Sequence, residues 1–452
     1  MERILVVLLS LLGVAYAVTS FPDGALSTFM ALALALPVIF YFRKSQDDPT
    51  TLINIFLLAL LLRLSFGLVI HIFNLQQVFG PDAFSYDLIA TSRVDGWLAG
   101  NGLDLSSSST NSAWGMTYIV VFLYILFGKS MLVVQAFCGV IGALTPPMVF
   151  YCSKSIFNNK RVAVISGYSV AIFPSFIIWS SQMLKDGLIV FLLVVIMTML
   201  IKLQKKLSYP AIAVLLLSMV GILSLRFYIF YMVVVAVAGS FLVGLAESSK
   251  SVIRNVLVLM LMGIGVAYIG VTRDAAHDLS QITDLERLQV VRQDLVGSAN
   301  SGFADDADVS TVAGAVSTIP IGLIYLMFAP FPWQIGSASQ ALVFPETFIW
   351  WLLFPPMFSG FVYTLRNRLR PAIPIIVFSL MLIAAYSIFQ GNVGMTYRQR
   401  TQIQVFLFMF ISVGIGLILE KRENLRSIQK ANRARAIRER ILFEKRRKGV
   451  KG

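Results

Sequence analysis

The sequence predicts an all-α polytopic membrane protein, with about twelve transmembrane helices and short interfacial helices on its outer face. Hydrophobic residues make up 57% of the 452-residue chain and charged residues only 13%, too little polar surface to wrap a water-soluble core. Apolar runs long enough to cross a bilayer recur from end to end. When those runs alternate across the membrane, the basic clusters all fall on one side.

Bounded by charge or by Pro and Gly, the runs are 4–20, 25–42, 51–73, 131–152, 162–180, 187–204, 210–224, 228–246, 252–270, 347–364, 371–390 and 403–420. The first carries Arg3, an apolar stretch and Ala15-Tyr16-Ala17, as a secretory signal would. It is expected to be an uncleaved first span. The basic clusters are Arg43/Lys44, Lys154/Lys160/Arg161, Lys202/Lys205/Lys206, Lys250/Arg254, Arg366/Arg368/Arg370 and the tail from Lys421. The positive-inside rule makes that side cytoplasmic and puts both termini there. Trp114 to Phe127 is apolar but short, and counting it as a span would move Lys154–Arg161 outside. It is therefore expected to be an interfacial or re-entrant helix, as is Ile319 to Trp333.

Two large segments then lie outside, roughly 76–130 and 271–346, both acidic at their polar ends. The expected organisation is an N-terminal hairpin (1–50), a membrane core (51–270), a second outer loop (271–346), C-terminal spans (347–420) and a basic tail (421–452). The tail holds thirteen Lys and Arg against three Glu, supplying about ten of the +14 net charges. It reads as a surface for anionic lipid, not nucleic acid. Cys138 and Cys152 share one span about 20 Å apart and cannot bridge. With only two histidines and no Cys/His cluster, a zinc site is not expected.

Asp82 opens the candidate site. It follows Pro81, which can start a helix, and it sits where the helix dipole favours a carboxylate. Two readings stand together: a capping residue in a solvated loop, or a general base that takes a proton from an attacking hydroxyl. Tyr86 lies four residues on, on the same face, placed to orient a ring or headgroup. Asp87 is a neighbouring carboxylate. No motif demands a cofactor, with a divalent cation at Asp87 held open. Cationic residues share the outer side: Lys185 beside Asp186, Arg226 followed by Phe227-Tyr228, and Arg398 and Arg400 in the loop 391–400. Several cations at one depth suit a phosphate or pyrophosphate, although each alone could be a snorkelling span end. Arg63 lies mid-span and must face protein, water or a carboxylate.

The order of these pieces resembles the GT-C superfamily of membrane glycosyltransferases. It is most similar to the bacterial branch with protein O-mannosyltransferases and aminoarabinose transferases. The likeness runs over about residues 51–205. It begins with Leu61-Leu62-Arg63-Leu64 and Asp82-x-x-x-Tyr86, continues through Leu126-Phe127-Gly128-Lys129-Ser130 and Ile156 to Ala163, and ends with Ala171-Ile172-Phe173-Pro174 before Lys185-Asp186. It implies a GT-C-like fold in a bacterial plasma membrane, with Asp82 as catalytic base on the outer face. It also implies a polyprenyl-phosphate-linked sugar donor. Ala83 stands where that family carries Glu. The C-terminal half looks more like membrane proteins of polysaccharide loci.

The expected function is an inverting, lipid-carrier-dependent glycosyltransferase. Its acceptor would be a glycan or lipid; Tyr86, Asp87, Lys185, Arg226, Tyr228, Arg398 and Arg400 would bind substrate, with Arg226, Arg398 and Lys185 stabilising the leaving phosphate. The alternatives are an O-antigen-type polymerase or ligase, and a lipid-linked glycan flippase. A flippase would need charges along the whole membrane path, where the sequence offers only Arg63 and His71.

Overall fold

A computed structural model of the chain describes residues 1–46, 48–102, 114–242, 260, 284–297, 302–304, 307–335 and 338–449. Every named element among them is helical. The protein is a multi-pass helical membrane protein. Seven helices are long and apolar enough to cross a bilayer, or up to nine when each of two bent pairs counts as one span. The seven are α1 (Glu2–Thr19), α2 (Asp23–Arg43), α3 (Pro49–Ile72), α7 (Met131–Phe157), α10 (Lys185–Lys205), α17 (Leu369–Phe389) and α18 (Val393–Gly449). The short α4 (Gln76–Phe79), α5 (Asp82–Leu98) and α6 (Trp114–Phe127) fill the connection from α3 to α7.

Prolines account for the bent pairs. Phe173 is extended (φ −71°, ψ 127°), the conformation a following proline imposes, so α8 (Lys160–Ile172) and α9 (Pro174–Ser180) meet at 55°. The expected span 162–180 is thus a broken one. Pro355 and Pro356 follow a second break at Leu353, where α15 (Ala338–Leu352) turns into α16 (Phe354–Asn367) by 45°. The shorter α11 (Tyr209–Leu225) and α12 (Phe227–Leu242) match the expected runs 210–224 and 228–246. The run 252–270 falls outside the described residues apart from Met260. In the second outer segment, α13 (Leu285–Gly297) is followed by α14 (Val312–Phe328). The latter starts earlier than the expected 319–333 and stops at Phe328, because Pro330 and Pro332 cannot continue it.

The last helix departs furthest from expectation. The sequence reading starts a span at residue 403, whereas α18 begins at Val393. Its first turns are polar and yet buried, and internal partners take up part of their hydrogen-bonding capacity. Tyr386 donates to Gln402 at 2.6 Å, and Gln390 to Gln399 at 2.5 Å. At about 1.5 Å per residue, its 57 residues run well past any bilayer.

Contacts between distant segments define one end of the bundle. Arg43 pairs with Glu2 at 3.4 Å, Lys160 with Asp48 at 2.7 Å and Arg161 with Glu423 at 3.0 Å. Lys205 donates to the Ser155 carbonyl at 2.7 Å. These are members of the basic clusters that alternation puts on one side. The other ends of the same helices carry the polar residues considered below.

Where α16 crosses α18, glycine lets the backbones touch. A Cβ at Gly414 would overlap the Pro356 carbonyl, and one at Gly360 would overlap the Phe410 carbonyl. Forcing extra volume into such a contact costs about 1–3 kcal/mol. Gly414→Val is expected to lower the thermal midpoint of the purified protein in detergent, and an unchanged midpoint would remove this crossing as a tight contact.

Candidate functional site

Asp82, Asp186, Arg226 and Arg398 come from four separate segments and meet at the end of the bundle away from the basic contacts. Asp82 is the first residue of α5. Its approach is set by side-chain amides: Gln76 donates to the Gly80 carbonyl at 2.9 Å and to Gln182 at 3.3 Å, and Gln135 donates to Gln76 at 2.9 Å. These bonds tie the turn before α5 to α7 and to the α9–α10 connection. The helix is then seated by one face, with Ala83, Tyr86, Ala90 and Val94 buried in the cluster that includes Met116, Val120 and Tyr124 of α6. Spacings of three and four residues make that stripe continuous.

Asp186 is the hub. It lies in the first turn of α10 with no exposed surface. One carboxylate oxygen accepts from Arg226 at 3.2 Å and the other from Arg398 Nε at 2.6 Å, with Arg398 Nη2 2.5 Å away. Arg398 reaches further and donates through Nη1 to Asp82 at 2.7 Å. Arg226 sits at the junction of α11 and α12 in extended backbone (φ −155°, ψ 98°), so the helical path breaks where the charge is needed. It donates to Tyr228 at 3.3 Å. Trp179 of α9 lies under Arg398, with the guanidinium carbon 5.7 Å from the ring centroid.

Asp82 and Arg398 open onto a cleft of about 280 Å³. Its other polar lining groups are Trp179, Gln340, Asn392 and Tyr397, set among apolar side chains. Arg398 is nearly buried, whereas the Asp82 side chain is 49% exposed. Lys185 is half-buried within electrostatic reach of Arg226, Asp186, Arg398 and Asp82. Tyr86 faces the same carboxylates and arginines. Burial, with Asp186 and Asp82 adding to it, pushes its phenol up to about 12, so it stays a neutral hydroxyl. A second buried group backs the cleft: Glu346 of α15 accepts hydrogen bonds from Tyr397 at 2.6 Å and from Ser175.

The structure therefore brings together Asp82, Tyr86, Lys185, Arg226, Tyr228 and Arg398. It does not bring in Asp87 or Arg400. Asp87 lies about 100° further round α5 from Tyr86 and accepts a hydrogen bond from Tyr124 of α6. Arg400 is fully buried and donates to the carbonyls of Met327 and Ala329, at 3.3 and 2.9 Å. Two helical residues past Arg398, it points nearly the opposite way. Ala83 is wholly buried, so this position packs in the α5–α6 contact, away from the cleft. Among the described residues, no three His, Cys, Asp or Glu side chains gather to hold a metal.

Asp186, Trp179 and Glu346 carry parts of the site that the sequence reading left without a role. Asp186 had a signal, a carboxylate next to Lys185 between two apolar runs. Glu346 lies one residue before an expected span and reads there as a boundary. Trp179 gives no sign within its apolar run.

No protein-family model matches the chain, and no curated protein matches it. Some solved structures are similar. ArnT from Cupriavidus metallidurans bound to undecaprenyl phosphate is 14% identical with a TM-score of 0.49, over 78% of this chain and 59% of that one. The apo oligosaccharyltransferase of Archaeoglobus fulgidus is 13% identical with a TM-score of 0.48, over 86% and 52%. AglB from the same organism, in complex with an inhibitory peptide and a dolichol-phosphate, is 12% identical with a TM-score of 0.46, over 86% and 52%. The chain thus spans little more than half the length of the proteins it resembles.

The two carboxylates differ in what their loss would do. Asp186→Asn leaves the buried Arg226 without its carboxylate and Arg398 with only the half-exposed Asp82, a change that costs about 3–5 kcal/mol. Asp82→Asn removes a half-exposed partner, at under about 1 kcal/mol. Thermal unfolding of both variants in detergent is expected to show that order; equal losses would contradict the assignment of Asp186 as the hub.

Proposed function

We propose that this protein is a glycosyltransferase that takes a sugar from a polyprenyl-phosphate carrier and passes it to a hydroxyl of a glycan or lipid at the outer face of the membrane. One observation carries the reading. A half-exposed carboxylate, Asp82, lies in a cleft at the bundle end and is held 2.7 Å from an arginine that two further charged segments position. The end that bears the cleft is opposite the basic contacts, and the positive-inside rule makes that end the outer one. The order of sequence motifs that resembles membrane glycosyltransferases supports the same assignment.

In this reading the acceptor oxygen attacks the anomeric carbon. As the new carbon–oxygen bond forms, its proton passes to Asp82. Only Oδ2 is engaged by Arg398, and Oδ1 is the oxygen available as base. The bond from the anomeric carbon to the phosphate oxygen breaks, and its electron pair stays on the phosphate. Arg398, Lys185 and, from behind Asp186, Arg226 stabilise the charge that gathers there. One displacement inverts the anomeric configuration. Asp186 serves as a positioning residue, because it aims the two guanidinium groups without touching substrate. Tyr86, a neutral hydroxyl, can hydrogen-bond sugar or phosphate oxygen.

Membranes enriched in the protein, given a panel of radiolabelled polyprenyl-phosphate sugars, are the test. Asp82→Asn is expected to insert in normal amount and to lose about 10²-fold or more of transfer. Full activity in that variant would sink the base assignment. Loss in Arg398→Ala with Asp82→Asn active would instead favour a polymerase or ligase that works through arginine alone.

A further inference from the structure

The turn of α18 that carries Arg398 is held from a second side. Tyr397, the preceding residue, points about 100° away round the helix, toward α9 and α15. Three oxygens from three helices meet there. Tyr397 Oη donates to Glu346 Oε2 at 2.6 Å, Ser175 Oγ lies 2.9 Å from Tyr397 Oη, and Ser175 also contacts Glu346 Oε1. Gln340 and Val343 of α15 line the cleft. Glu346 follows three residues later on the same helical face, one turn deeper.

The two hydroxyls supply two hydrogens, and three contacts need three. The single hydrogen of Ser175 cannot serve Tyr397 and Glu346 at once. With an ionised Glu346, one pair of oxygens faces through lone pairs alone. A hydrogen on Glu346 Oε1 closes the ring: Glu346 donates to Ser175, Ser175 to Tyr397, and Tyr397 to Glu346 Oε2. The surroundings agree. Glu346 is buried, and among the described residues it joins no ion pair. Arg400 is within electrostatic reach of it. That guanidinium is held instead by the Met327 and Ala329 carbonyls, over the rings of Tyr397 and Trp350 at 5.0 and 5.9 Å. Its Nε and Nη2 have no hydrogen-bond partner, whereas an anion so near would draw them in. A buried anion without such a partner is costly. We infer that Glu346 is a neutral carboxylic acid and a positioning residue: by closing the ring it fixes Tyr397, and with it the turn of α18 that presents Arg398.

The test uses the full-length protein in nanodiscs, and only its kinetic arm rests on the proposed function. Without substrate, the infrared difference between wild type and Glu346→Gln at neutral pH is expected to show the C=O stretch of a protonated carboxyl group. Carboxylate bands in its place would overturn the neutral acid. Transfer from the radiolabelled panel is then compared. Glu346→Leu and Tyr397→Phe are each expected to lower kcat, by as much as about 10²-fold where the reacting geometry slips. Combined, they should lose no more than the worse single variant. Glu346→Gln keeps the length and a neutral donor, so it should recover most of what Glu346→Leu loses. Glu346→Asp keeps the acid but falls short of the ring, and should not. Better recovery by Asp than by Gln, or additive losses, would overturn the inference. Should Glu346→Leu fail to insert, Tyr397→Phe, which removes one oxygen, carries the same comparison. If wild type transfers nothing from the panel, the proposed function falls and backbone hydrogen exchange over residues 393–400 decides the inference. Exchange is expected to be faster in Tyr397→Phe and unchanged in Glu346→Gln; equal exchange in both variants and wild type would overturn it.

Discussion

Asp186 is a carboxylate with no exposed surface, in the first turn of a membrane helix, and it is shared by two arginines that lie 40 residues after it and 212 residues after it. A lone carboxylate there would not stay ionised, and a lone arginine would be as costly. Each is tolerable only because the others are present. The ion group therefore fixes where α10, the α11–α12 junction and the start of α18 stand relative to one another. Asp82, through Arg398, adds the segment after α3 to the same knot. Each hydrogen bond between charged partners is directional, so the knot sets orientation as well as proximity.

The backbone is irregular where this knot requires it. Arg226 is extended between two helices, and the stretch from Ser181 to Leu184 is non-helical before α10 starts. Such breaks leave unpaired carbonyls, which lipid cannot satisfy. Three other arginines supply the missing donors. Arg63 reaches from α3 to the Ala171 carbonyl at the end of α8, 3.3 Å away, and to Ser180 at 2.9 Å. Arg292 donates to the carbonyls of Ile388 and Gln390 at the end of α17, at 3.0 and 2.6 Å. Arg400 does the same for α14. Each cation sits at a helix C-terminus, where the dipole favours positive charge.

The architecture was legible in the sequence because lipid solvation leaves a long apolar run for every crossing helix. Asp82, Arg226, Arg398 and Lys185 stood out as candidates because charge next to such a run is costly, and the structure brings them together. Partners were not legible. Nothing in the local pattern around Asp186 says that its counter-ions lie 40 and 212 residues away. Arg398 and Arg400 looked equivalent because the polar stretch before residue 403 read as loop. Once that stretch is helical, two residues turn the side chain to the far face, and the two arginines part company. Glu346 was hidden for a similar reason: a carboxylate at the edge of an apolar run resembles a span boundary, and burial alone separates the two.

Two uses of arginine follow from what each one touches. Arg63, Arg292 and Arg400 are bound mainly by carbonyls, which are fixed parts of helix ends. Replacing those bonds with a ligand would leave the carbonyls unpaired, so these arginines are poor candidates for substrate exchange. Arg398 is bound by carboxylates, and one of them, Asp82, is half exposed beside the cleft. An anionic ligand can share that guanidinium with Asp82 at small cost, because the displaced carboxylate oxygen meets water or an acceptor hydroxyl. In the proposed reaction the carboxylate would have two states, paired with Arg398 as in the structure or free to take a proton. A phosphate arriving at Arg398 favours the second, so donor binding itself would ready the base. In the proposed reaction Arg226, held behind Asp186, would contribute electrostatically, and Arg398 would be the cation that meets the ligand.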